Sequence, residues 1–411
     1  MHFSSNKSAD FIILLIIFVT MFFGINVLTN LGYAIGGDEG AGLQKILPSF
    51  YGALLLVLAY ILCVVDRGRF YLHRKVEFRF LGFISIFIIF IYFKKLSGIG
   101  SFLPNTIVLP VLLSILLKSS NHLALSKVRK LIIWFLVINA SLAITERFLS
   151  LHFFYPAIEK NLDNYGFRST ALQNHPLNNA LLTTVILSFI LISDLGNKKK
   201  YLLFSLGILS ILCFGSRSSL MGALLLLFIY ESRKLFIKPK DLYSKFIRVF
   251  LPISFLLVLG AIYFLITSTA FGERLVSKGF FDEGADVRIQ VFSMFNYVTP
   301  RDLLWGSSDS FIDNVKSSAG VNIIENFWLI WILRYGIFFT IALTYFLIAF
   351  LKHLLSEYSK FHKWYLIGMF LLIASTNISL ASTTVAISVF VICSYSFLSI
   401  TSIETKQLHS R

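Results

Sequence analysis

The chain has 411 residues, 56% of them hydrophobic and only 14% charged, with a mean hydropathy of +0.78 and a formal net charge of +16. So little polar cover cannot hide that much apolar surface in water, which excludes a soluble globular enzyme and points to one all-α integral-membrane domain over residues 1–411. The basic residues are divided among short connections, with no continuous basic face or stacking platform, which excludes nucleic acid as a partner.

In chain order, apolar runs predict helices over 11–28, 49–65, 78–95, 102–118, 130–150, 176–194, 200–214, 217–231, 248–267, 326–350, 363–379 and 382–402. Runs of this length match the ~30 Å hydrocarbon layer, giving about twelve spans of a polytopic membrane protein. The first run is too long for the apolar part of a signal peptide and reads as a retained helix. Cys63, Cys213 and Cys393 lie in or beside apolar runs and suggest no disulfide framework. The histidines show no metal-binding spacing, and no glycine-rich phosphate loop is present, so neither metal nor cofactor is expected.

Connections alternate in charge. Those at 66–77, 118–130, 194–200, 231–248 and 351–363 are basic, whereas "GGDEG", the stretch after helix five and the long loop 268–325 are neutral or acidic. The positive-inside rule then makes the basic set cytoplasmic, with both termini inside and the large loop, between helices nine and ten, outside. Lys94 and Lys95 break the pattern on the outer side. Arg217, in "CFGSRSSLMGA", also falls on the outer side, where topology gives an arginine no advantage.

Four polar patches share that side: "YGFRSTALQNHPLNN" with Arg168 and His175; "GSRSS" with Arg217; "DVRIQVFSMFNYVTPRDLLWGSS" with Arg288 and Gly306; and "ENFWLIWILRYG" with Glu325 and Asn326. Guanidinium groups stay charged and bind phosphate through forked hydrogen bonds, so several arginines at one membrane surface suit an anionic headgroup. The structural roles of the same residues are headgroup anchoring by arginine, a loop end at His175 before Pro176, and a helix-start acid at Glu325. Tyr165, Tyr297 and Trp305 read as an interfacial aromatic belt.

Taken in order from about Leu162 to Leu343, these patches resemble the bacterial O-antigen ligase and Wzy-type polymerase superfamily. "FRSTALQNHPLNN" is similar to its R-x-x-G...H-P-N segment, with Ala171 where glycine is usual. "GSRSSLMGA" matches its S-R-small-small hairpin; Arg288, Pro300 and "WGSS" loosely match its loop motif, with Ser308 in place of the second glycine. "ENFWLIWILRYG" matches the helix opening that follows, with Glu325 where ligases carry histidine.

The resemblance implies a GT-C-like, metal-independent inverting glycosyltransferase of the inner membrane, its active site facing the periplasm. It would use undecaprenyl pyrophosphate-linked oligosaccharides as donor and acceptor, among membrane lipids and with a chain-length regulator protein as a possible partner. Arg217 would hold the pyrophosphate, Arg168, Arg288 and Asn326 would assist in substrate binding, and Glu325 or His175 would act as base. The departure at Glu325 favours a polymerase over an O-antigen ligase. A lipid-linked oligosaccharide flippase is the rival of another class, opposed by the asymmetric large loop and by the lack of similarity between the two halves.

Overall fold

The computed structural model describes residues 7–33, 42–63, 67–94, 96, 99–154, 167–173, 175–236, 260, 290–321 and 324–398, with the backbone alone at 42, 43, 67, 69, 99, 100 and 233–236. Every regular element among the described residues is a helix. They are α1 (Lys7–Phe22), α2 (Ile25–Asn30), α3 (Pro48–Cys63), α4 (Arg67–His73), α5 (Lys75–Phe93) and α6 (Ile99–Phe102). A π-helical turn (Leu103–Val108) joins α6 to α7 (Leu109–Leu117), followed by α8 (His122–Leu149), α9 (Pro176–Ile192), α10 (Asn197–Phe214) and α11 (Arg217–Phe236). After a 3-10 turn (Val291–Tyr297) come α12 (Pro300–Trp305), α13 (Asp309–Ser318), α14 (Phe327–Leu354), α15 (Lys360–Ala374) and α16 (Ala386–Ser396).

Among the described residues α5, α8 and α14 are long and apolar enough to cross a membrane. The segments Pro48–Cys63, Leu103–Leu117, Pro176–Ile192 and Ala386–Ser396 are shorter apolar helices. The predicted run 248–267 lies outside the described residues apart from Gly260. The three cysteines are free thiols.

The helix ends gather on two opposite faces, which side-chain bonds identify. On the basic face, Asn121 donates to Asp10 (2.7 Å), Arg129 pairs with Asp194, and Lys118 lies 3.7 Å from Glu77 and 2.9 Å from His353 Nε2. The other face carries the starts of α9, α11, α14 and α16 and the ends of α5, α8, α10 and α15; we call it the cap face.

Several helices break on the cap face, each for a local reason. The run predicted as 11–28 divides at Phe23 and Gly24, because the 171–173 backbone passes there and a Cβ on Gly24 would overlap the Leu172 carbonyl oxygen. Asn26 Nδ2 donates to the Gln173 carbonyl (2.7 Å) and Gln173 Nε2 to that of Met21 (3.3 Å), so both sides of the break are bonded to the intruding chain. The predicted helices 363–379 and 382–402 are shorter than the hydropathy suggests: α15 ends at Ala374, α16 begins at Ala386, and the intervening "STNISLASTTV" is non-helical.

α14 is interrupted at Gly336 (φ 79°, ψ 166°). There its backbone meets that of Gly306 (φ 73°): a Cβ on Gly336 would overlap the Leu304 carbonyl, and one on Gly306 the Arg334 carbonyl. Only glycine combines a left-handed φ with such close approach. Ser307 N donates to the Leu333 carbonyl (2.8 Å), using an acceptor near the interruption. The described part of the large loop, from 290 onward, forms a lobe with its own small core, in which Val291, Met294, Ile312, Val315 and Val321 pack on Leu329 and Leu333 of α14.

Candidate functional site

The cap face is organised by a carboxylate that the sequence reading passed over. Glu146, in the last turn of α8, is fully buried. Its Oε2 accepts from the backbone N–H groups of Thr170 (3.0 Å) and Ala171 (2.9 Å) and from the Ser169 hydroxyl, and its Oε1 accepts from Phe153 N (3.1 Å). A buried carboxylate persists only when its lone pairs are met in this way. The bonds pull 169–171 into a tight turn, and Ala171 takes φ 41°, a left-handed conformation that costs an alanine energy and a glycine none. Asn139 and Asn179 brace the same turn: Asn139 Oδ1 accepts from Leu172 N (3.3 Å), its Nδ2 donates to Asn179 Oδ1 (3.0 Å), and Asn179 donates to the Thr170 carbonyl.

The braced turn aims Arg168 at the end of α10. Its Nε donates to the Phe214 carbonyl (3.0 Å) and a terminal nitrogen to the Gly215 carbonyl (3.4 Å), so the guanidinium caps a helix C-terminus whose dipole favours a cation. This joins the first polar patch to the second. Gly215 turns the chain with φ 62°, and Ser216 follows, its hydroxyl accepting from Ser219 N (3.4 Å) at the start of α11. Arg217 is therefore the first residue of a 20-residue helix and is half-buried.

His175 is the N-cap of α9, its Nδ1 accepting from Leu177 N (3.2 Å), which assigns the ring proton to Nε2 in the neutral form. Asn326 plays the same part for α14: its Oδ1 accepts from Trp328 N (2.9 Å) and Leu329 N (3.3 Å), leaving its amide nitrogen as the end able to meet a ligand. Glu325 immediately precedes this cap and is half-buried.

What brings the three helix starts together is the non-helical 375–385 segment. Thr376 Oγ1 donates to Ser218 Oγ of α11 (2.8 Å), the Asn377 carbonyl accepts from Phe327 N of α14 (3.2 Å), and Ser379 Oγ donates to Asn178 Oδ1 of α9 (2.6 Å). Two indoles of α14 hold the same stretch, Trp328 Nε1 donating to Ser375 Oγ (2.7 Å) and Trp331 Nε1 to the Leu380 carbonyl (3.1 Å). Beyond it, Thr106 of the π-turn donates to the Ser382 carbonyl (2.8 Å) and accepts from Thr384 N (2.9 Å). Non-helical backbone is tolerated among membrane helices where protein buries it or where it lines a cavity, and here side chains supply its bonds.

The structure thus joins the patches carrying Arg168, His175, Arg217, Glu325 and Asn326 on one face, while Arg288 lies outside the described residues. Three helix N-termini directed at one region present a positive dipole field, a setting that favours an anion. Glu146, Thr376 and Ser379 were missed from the sequence, and Asn178 and Ser218 stood inside the quoted patches without the bonding role they have here. The signals were there, in a lone acid at the end of a span and in a Ser/Thr/Asn cluster interrupting an apolar run. No group of His, Cys, Asp and Glu suited to a metal occurs among the described residues.

No protein-family model matches the chain. No curated protein matches it either.

Proposed function

We propose that this protein is a polymerase of lipid-linked polysaccharide repeat units, a metal-independent inverting glycosyltransferase of GT-C-like, twelve-span architecture in a bacterial inner membrane. The observation that carries the reading is the gathering of three helix starts on residues 376–379, with Arg217 next to the bonded Ser218 and Glu325 two residues before the bonded Phe327. Such a place suits a pyrophosphate: helix N-termini and a guanidinium both favour an oxyanion, and the polar side chains around them suit a sugar. The positive-inside pattern supports a periplasmic cap face with both termini cytoplasmic.

The reaction consumes two undecaprenyl pyrophosphate-linked oligosaccharides. The acceptor's terminal hydroxyl oxygen attacks the donor's anomeric carbon, forming a new glycosidic bond as the bond from that carbon to the pyrophosphate oxygen breaks. The hydroxyl proton passes to Glu325 and not to His175, whose Nδ1 is taken by the Leu177 N–H and whose Nε2 carries the ring proton, and the bonding electrons leave with undecaprenyl pyrophosphate. Arg217 neutralises the developing charge on the leaving group. Arg168, held by two backbone carbonyls, fixes the hairpin that presents Arg217, and Arg288 and Asn326 complete the substrate contacts. Glu325, in place of the histidine of the resembled ligases, favours this reading over transfer to a lipid or protein acceptor.

The test is reconstitution of the purified protein with undecaprenyl pyrophosphate-linked repeats in the presence of a metal chelator. The expected product is a ladder of lengthened, still lipid-linked chains. Lipid-linked repeats crossing the bilayer without lengthening would sink the proposal in favour of a flippase, and a single transfer to a non-repeat acceptor would replace it with a ligase.

A further inference from the structure

The lobe that follows the 3-10 turn bears on the membrane itself, whatever reaction the cap face catalyses. α5 has 19 residues, about 28 Å of helix, and the part of α14 after its interruption, 337–354, has 18, about 27 Å. Both lengths match the ~30 Å hydrocarbon layer. The two pack antiparallel, Phe83 stacking on Phe346 (4.5 Å between ring centres) and Phe90 on Phe339 (3.9 Å). Their cap-face ends are level, because Lys94 Nζ donates to the Gly306 carbonyl (3.2 Å) and Gly306 touches Gly336. The edge of the hydrocarbon layer therefore runs through Lys94, Gly306 and Gly336.

α12 ends at that edge. Its outward side carries Arg301, Leu304 and Trp305, spaced i, i+3 and i+4 and all exposed, whereas Asp302 is turned to Thr299 Oγ1 (2.5 Å). The Trp305 ring lies 5.4 Å from that of Phe338, two residues inside the edge and 52% exposed on a spanning helix. Trp305 (49% exposed) and Leu304 (39%) thus continue the lipid-facing surface formed by Phe338 and Ile341 of α14 and by Tyr92 and Phe93 of α5. Tryptophan favours this depth because its ring is amphipathic, and a basic side chain beside it reaches the phosphates.

We infer that α12 is an interfacial anchor: Leu304 and Trp305 sit at the boundary between headgroups and acyl chains on the cap face, with Arg301 among the lipid phosphates. The lobe, including α13, stands on the headgroup layer as a consequence.

The experiment places a fluorescent thiol label at Trp305→Cys and, separately, at Leu304→Cys, with Asp313→Cys of α13 as the control outside the membrane. Cys63→Ser removes the exposed thiol, and the buried Cys213 and Cys393 stay in place. In phospholipid vesicles the labels at 304 and 305, expected about 5–10 Å below the phosphates, are quenched by spin-labelled acyl chains and escape iodide. The label at 313 shows the reverse. Iodide quenching at 304 and 305 equal to that at 313 would overturn the anchor, as would insensitivity to both quenchers, which would mean that protein covers the surface. Leu304→Cys carries the test if Trp305→Cys does not yield a monodisperse protein.

Discussion

The two faces of the molecule use polar residues in different proportions. On the basic face charges meet charges: Arg129 with Asp194, and Lys118 with Glu77 and with the ring of His353. On the cap face many of the polar side chains meet backbone: Glu146 holds the N–H groups of 153, 170 and 171, Arg168 holds two carbonyls, and His175 and Asn326 cap helices, while others such as Thr376 and Ser379 meet the side chains of Ser218 and Asn178. Ion pairs lock helix ends and orient the chain. Side chains spent on backbone instead hold broken helices open, with helix N-termini brought to one place, an arrangement that favours negative charge there.

Substitutions can break this contrast. The largest effect is expected from Arg217→Ala, which should abolish chain lengthening in the reconstituted assay while protein yield stays normal. Arg129→Ala on the opposite face should leave the ladder intact. Next comes Glu146→Ala, which strands the buried backbone N–H groups of Thr170 and Ala171 and should cost about 2 kcal/mol or more, since each unmet buried donor costs about 1–3 kcal/mol. Thermal unfolding in detergent would measure it, and an unchanged midpoint would show that the 167–173 turn does not depend on this carboxylate.

Gly336→Ala should lower stability by about 1–3 kcal/mol from its left-handed φ, with a further loss because the new Cβ overlaps the α12 backbone. A Gly336→Ala protein as stable as the parent would contradict the backbone crossing at Gly306.

The smallest effect belongs to the basic face. The hydrogen bond from Arg129 holds the Asp194 carboxyl below the usual carboxylate range, against a smaller opposing effect of burial. A lowered folded-state value means the pair stabilises the protein above the ordinary carboxylate value of about 3.9 and loses that contribution as the pH falls through the lowered value. Asp194 is 41% exposed, so solvent screens the pair and its contribution is at most about 1 kcal/mol. Asp194→Asn should therefore unfold slightly earlier than the parent at neutral pH and together with it once the pH falls below the lowered carboxyl value. A difference that grows on acidification would reverse the assigned sign.

The helices were legible because apolar runs persist wherever lipid or packed helices surround a segment. The breaks were not. Ile378, Leu380 and Ala381 keep the 375–385 stretch within an apolar window, and its non-helical form depends on distant donors and acceptors in α9, α11 and α14. Gly24 and Gly336 read as ordinary glycines in spans until the Leu172 and Leu304 carbonyls are found against them. Lys94, which broke the charge pattern, has its reason in the Gly306 carbonyl. Arg168 and Arg217 were legible as basic residues on the outer side, whereas Glu146, which holds the turn beside Arg168, drew no notice in the sequence.

The central claim, that the cap face holds a pyrophosphate through Arg217, is tested most directly by ligand-dependent stability. The unfolding midpoint of the protein in lipid nanodiscs would be followed as undecaprenyl pyrophosphate is added, for the parent, Arg217→Ala and Arg129→Ala. The account predicts a concentration-dependent rise for the parent and Arg129→Ala, because a ligand that binds only the folded state stabilises it, and no rise for Arg217→Ala. An equal rise in all three proteins would contradict it.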